Sequence, residues 1–271
     1  MALFRGIVQG QPGSGKTSLA CALANEGYRV VRCAFEAGDE VFQAYCTPEG
    51  LARVHNFTFE DDWDMGDNGL ERVARGMTAF EGFIYNGKIG REQPLGPPRE
   101  WDARTVVMVD TITTMGLCAS ARALKINPNN SMLSAYEAGR DQESMAQLMT
   151  SEKRGYHVLW LSHLRLISPK AESGFKSETE LQKQLKRERA ALEDTGYFPT
   201  AVTPGIARNF VGHFPFALLC EEDQRAKHAS KRVVRTQAVP GYQIKCPLAV
   251  PDKLPVESAL LTIFSALGNK L

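Results

Sequence analysis

The stretch Gly10 to Thr17, reading GQPGSGKT, limits what this chain can fold into more than any other part of it. It fits the pattern Gly, four residues, Gly, Lys, then Ser or Thr. Such a string serves as a turn between a strand and a helix: its glycines let backbone N–H groups converge on one anion, and the helix adds the positive end of its dipole. The flanks suit both elements. Leu3 to Gln9 (LFRGIVQ) is apolar enough for a short buried strand, and Ser18 to Glu26 (SLACALANE) is rich in Ala and Leu, good helix formers. The expected class is therefore α/β.

The residue types follow from phosphate chemistry. Gly10, Gln11, Pro12, Gly13, Ser14, Gly15, Lys16, Thr17 and Ser18 are expected to cradle phosphates, with Lys16 reaching the β- and γ-phosphates of a nucleoside triphosphate. The Thr17 hydroxyl suits Mg²⁺, which takes oxygen ligands and keeps several waters. A turn that merely joined two elements would need neither the Lys nor the Thr. The cofactors these residues imply are a nucleoside triphosphate and Mg²⁺, with ATP and GTP both open at this point.

At 271 residues the chain can bury a substantial core. The formal net charge is +1, so no global field announces a nucleic-acid partner, and any such surface must be local. Six cysteines are scattered without a CxxC pair, which argues for reduced thiols rather than a zinc or redox motif. No stretch has the length of a membrane span, and Arg5 and Gly6 interrupt the short apolar start, so a cytoplasmic protein is expected.

Downstream, Tyr28 to Phe35 (YRVVRCAF) reads as a second strand ending at Glu36. Leu70, Val73, Ala74, Met77 and Phe80 recur at helical spacing, and Gly87 to Arg99 reads as an exposed loop. Two continuous apolar runs, Thr105 to Val109 before Asp110 and His157 to Leu161 before His163, have the form of central parallel strands, with Tyr136 to Arg154 as the crossover helix. Glu178 to Asp194 reads as a charged helix. Phe214 to Cys220 and Arg232 to Thr236 read as a late antiparallel hairpin, and Val256 to Leu267 as a terminal helix stopped by Gly268.

Asp110 has the form of the acid that manages Mg²⁺ beyond a phosphate loop. Thr111, not Glu, follows it, so the acid that activates water must come from elsewhere, and Glu36 beyond the second strand is the candidate. A Glu after the second strand, Asp followed by Thr after the third and a polar residue after the fourth resembles the RecA-like ATPases. The DTIT segment and the early loop look most like the phage-encoded, Sak-type recombination and annealing members. That likeness implies a mostly parallel sheet flanked by helices over residues 1–247, and a tail, 248–271, packed on the core or on a neighbouring subunit.

The resemblance further makes Glu36 the general base, Thr111 a partner of the metal site and His163 the γ-phosphate sensor, where RecA itself has Gln. It implies assembly into a ring or filament, with Lys245 reaching a neighbour's γ-phosphate. It implies single-stranded DNA as partner, and a single-strand binding protein beside it. Arg165, Lys170, Phe175 and Lys176 would serve as the DNA loop, and a denser cationic cluster, Arg225 to Arg235, would face DNA or a neighbouring subunit. Two alternatives stay open: a small-molecule or nucleotide kinase, with Lys183 to Arg189 as its lid, and a nucleotide-dependent assembly protein without DNA activity.

Overall fold

The computed structural model describes residues 2–59, 75–89, 95–167, 196–200, 204–223 and 231–268. Strand β1 (Arg5–Gln9) feeds the glycine-rich turn and α1 (Ser18–Asn25) leaves it. Then come β2 (Arg29–Ala34), α2 (Asp39–Tyr45), α3 (Pro48–Leu51), β3 (Val54–Thr58) and α4 (Arg75–Asn86). The middle of the chain forms β4 (Thr105–Asp110), α5 (Ile112–Ile126), α6 (Ser131–Thr150), β5 (His157–Ser162) and β6 (Leu164–Ile167). The last part forms β7 (Gly196–Pro199), α7 (Pro204–Phe210), β8 (Phe216–Asp223), β9 (Lys231–Arg235), β10 (Lys253–Pro255) and α8 (Ala259–Ala266).

Eight strands make one sheet in the order β10, β9, β8, β1, β5, β4, β2, β3. Pairing is parallel from β8 across to β3 and antiparallel where β9 and β10 extend the other edge. This is the expected class: a mostly parallel sheet flanked by helices, with a late antiparallel hairpin. A separate two-stranded sheet pairs β6 with β7.

Alternate residues of the central strands feed two cores, which is why the sequence shows apolar runs rather than alternation. Val107, Val109, Val158 and Trp160 join Phe80 and Phe83 of α4, Met115 of α5 and Met149 of α6. On the other face, Val106, Met108, Leu159 and Leu161 join Leu19 and Leu23 of α1 and Leu260, Ile263 and Phe264 of α8. The last helix thus packs on the helix that follows the phosphate-loop motif, and β10 completes the sheet edge.

Three expectations change. The connection from β4 to β5 is a pair of helices, α5 and α6, rather than one; α5 hides its period because much of its buried stripe is Gly116, Ala119 and Ala123. Gly87 to Arg99 is not simply exposed: Ile89 and Leu95 pack against the core, Pro98 is buried, and the Trp101 indole N–H donates to the Leu95 carbonyl at 3.0 Å. The four residues after His163 form a strand. Leu70, Val73, Ala74 and Glu178 to Asp194 lie outside the described residues.

Candidate active site

Because β1, β2, β4 and β5 run parallel, their carboxyl ends share one edge of the sheet, and the segments leaving them meet there. β1 delivers the glycine-rich loop, β2 delivers Glu36, β4 delivers Asp110 and β5 delivers His163. Pro12, Gly13, Gly15, Lys16, Thr17, Ser18, Glu36 and His163 line a cavity of about 490 Å³, within the size range of small-molecule sites.

The loop's shape is fixed by two close approaches. A Cβ on Gly10 would stand 2.5 Å from the Cys220 carbonyl oxygen, so β8 backs directly onto the turn. Gly15 has φ +95°, which side chains rarely tolerate, and a Cβ there would stand 2.8 Å from Arg232 Cδ. Lys16 is buried and donates to the carbonyls of Gly10 (3.0 Å) and Gln11 (2.8 Å), so its own loop holds the ammonium group at the cavity. Burial pulls the Lys16 ammonium below its ordinary value, against the nearby Cys220, Asp110 and Glu36.

Asp110 is buried at the end of β4, and the peptide that follows it is cis. Its Oδ2 accepts from Arg32 Nε at 2.8 Å and lies 3.5 Å from Thr17 Oγ1; its Oδ1 has no hydrogen-bond partner among the described residues. Burial pushes the Asp110 carboxyl up, opposed by the charge and hydrogen bond of Arg32. An unsatisfied, buried carboxylate oxygen beside a threonine hydroxyl is chemically suited to a hard divalent cation, bound directly or through water. Thr17 and Asp110 therefore fit Mg²⁺.

Arg32 is the residue that the sequence reading missed. It is 0 % exposed in the middle of β2, and its guanidinium forks to Asp110, to the Glu36 carbonyl oxygen (3.0 Å) and to Asp39 at the start of α2. An Arg flanked by Val31 and Cys33 inside an otherwise apolar run was the available signal, but its partner is visible only once β2 and β4 are in register, with Ala34 opposite Asp110.

Glu36 and His163 are joined through the start of α5. Glu36 Oε2 accepts from Thr111 Oγ1 at 3.1 Å and Thr114 Oγ1 at 3.4 Å, its Oε1 lies 3.6 Å from His163 Nε2, and the His163 backbone N–H donates to Thr113 Oγ1 at 3.2 Å. Burial pushes the Glu36 carboxyl up, but His163, Thr111 and Lys16 outweigh it and hold it below the usual carboxylate range. The Thr111 hydroxyl, which the resemblance gives as an indirect partner of the metal site, bonds Glu36.

Other expected residues lie apart. Lys245 is exposed and paired by backbone with Ala217 near the start of β8; its Nζ donates to the Phe214 carbonyl at 3.3 Å, which directs it away from its own chain's loop. Arg165 is exposed on β6, two residues beyond His163. Lys170, Phe175 and Lys176, and the cluster residues Arg225, Lys227 and His228, lie outside the described residues. Arg235 is held by Glu221 and Asp252, while Arg232 stands at the loop.

No protein-family model matches the sequence, and no curated protein matches it. Among solved structures, an ATPase from the type III secretion system of pathogenic bacteria superposes with a TM-score of 0.36 at 16% identity, over 77% of this chain. The chain spans 62% of that protein's length. A likeness this slight carries no weight in the functional reading.

Proposed function

We propose that this chain is a RecA-like ATPase that binds ATP with Mg²⁺ and hydrolyses it while engaging single-stranded DNA in phage-type recombination or annealing. The observation that carries the reading is the meeting of the glycine-rich loop, Glu36 and His163 around one cavity at the carboxyl edge of the sheet, with Asp110 buried 3.5 Å behind the Thr17 hydroxyl that lines it. The loop amides and Lys16 hold the phosphates. Glu36 takes a proton from a water that attacks the γ-phosphorus; the bond to the β–γ bridging oxygen breaks, leaving ADP and inorganic phosphate. Mg²⁺, held through Thr17 and Asp110, would neutralise the charge that gathers on the phosphate oxygens.

His163 links this chemistry to β6. A γ-phosphate oxygen competes with Glu36 for the imidazole, and movement of His163 passes directly to Leu164 and Arg165 in the strand that follows. Assembly into a ring or filament would bring the exposed Lys245 of one subunit to the γ-phosphate of the next, stabilising the transition-state charge. A single-strand binding protein is the partner this activity would meet on its DNA.

The test is the steady-state rate of phosphate release, with and without single-stranded DNA, for the wild type and Glu36→Gln. The wild type should turn over faster on DNA, and Glu36→Gln should bind ATP yet lose at least about 10²-fold in rate. Turnover that ignores DNA and requires a small hydroxyl acceptor would replace this reading with a kinase. Nucleotide-dependent oligomers with neither DNA binding nor stimulated turnover would replace it with an assembly protein.

A further inference from the structure

We propose that Arg232 is a phosphate ligand supplied in cis, gripping the nucleotide held by the loop of its own chain at the end of the cavity away from Glu36 and His163. This rests on the reading of that cavity as a nucleotide site. Arg232 and Arg235 are three residues apart on β9, so the period of a strand sends them to opposite faces of the hairpin. Arg235 is pinned by Glu221 at 2.7 Å and Asp252 at 2.6 Å. The Arg232 backbone carbonyl accepts from the Val256 N–H at 3.2 Å, but its guanidinium makes no ion pair or hydrogen bond among the described residues, not even with Glu222, its partner across the hairpin.

Its stem lies on the loop. The 2.8 Å separation between Arg232 Cδ and the place a Gly15 Cβ would take means that only glycine lets the arginine come so close. The side chain lines the 490 Å³ phosphate cavity and also an adjoining groove of about 760 Å³, and the two spaces share Ser18, Tyr45 and Arg232. Glu36 and His163 line only the first of these, which marks the γ-phosphate end. Arg232 therefore stands towards the α- and β-phosphates, where the nucleoside leaves the loop. Two cations then line the cavity that takes the triphosphate. Lys16 is the point charge already held by its own loop, and Arg232 is a planar fork of N–H donors whose geometry matches two phosphate oxygens.

The experiment is equilibrium binding of ATP, ADP, AMP and inorganic tripolyphosphate, in EDTA, to the full chain and to Arg232→Gln and Arg232→Lys, with urea midpoints as a fold check. Arg232→Gln should weaken ATP, ADP and tripolyphosphate by about ten- to a hundredfold, AMP by less, and Arg232→Lys should regain part of the loss. Arg232→Gln binding ATP within about twofold of a wild type that does bind would overturn this inference and leave the nucleotide site intact. No binding by the wild type would overturn the nucleotide site itself. Mixing Arg232→Gln chains with Lys16→Ala chains should leave binding weak, because no chain then owns a whole site; recovery on mixing would mean the arginine acts across subunits, against the cis assignment.

Discussion

His157, at the start of β5, shows how one residue couples the fold to pH. Its Nδ1 accepts from the Phe4 backbone N–H at 2.9 Å, and its ring stacks on Phe264 with centroids 4.1 Å apart. Burial lowers its pKa from 6.5 to about 4. The folded imidazole thus stays neutral where the unfolded chain takes up a proton. Stability from this group is complete above the unfolded value, declines as pH falls from 6.5, and is lost by about 4. The whole swing is about 3 kcal/mol. His157→Gln keeps an acceptor for Phe4 and removes the titration, so urea unfolding between those pH values should show a flatter profile than the wild type. Equal slopes for the two proteins would show that His157 does not titrate on unfolding. At this scale legibility followed chemical type. Lys16 and Asp110 could be read because a motif or a strand end names them. Arg232 could be read only as part of a charge cluster, since its distance from Gly15 depends on the hairpin turning back over the loop.

Among elements, β2, β4 and α2 are tied by the buried Arg32. Arg32→Met leaves Asp110 a buried carboxylate without its cation and should cost about 3–5 kcal/mol in denaturant unfolding. Adding Asp110→Asn removes the stranded charge and should return much of that loss, the non-additivity expected of a direct pair. Strictly additive costs would mean that Arg32 acts by packing alone. The elements that the sequence revealed are those buried on both faces, such as β4 and β5, whose apolar runs are continuous. Those it concealed bury little or bury small residues. β3, at the sheet edge, has one buried side chain, Phe57, in VHNFT, too few to make the alternation of a half-buried strand stand out. α5 turns small residues to the core, so its helical stripe does not stand out. β6 is short and polar at Arg165, and its partner β7 lies far along the chain.

Across the whole molecule, the sheet order assembles the candidate site more than any one side chain does. β5 lies between β1 and β4, so the strand that ends at His163 runs between those that end at the loop and at Asp110, while β2 beyond β4 brings Glu36 within reach of both His163 and Thr111. That order was not legible in the sequence, because nothing local in it says which parallel strands are neighbours. The C-terminal elements are part of the same body: β10 pairs with β9 and α8 fills the core beside α1. No helix among the described residues is long and apolar enough to cross a membrane. All of this architecture converges on one loop, and the measurement closest to it is the ATP-binding isotherm of the full chain beside Lys16→Ala, with circular dichroism to confirm equal folding. The wild type should bind saturably and Lys16→Ala should lose at least about a hundredfold in affinity with an unchanged spectrum. Equal binding by the two proteins, or none by either, would contradict the account.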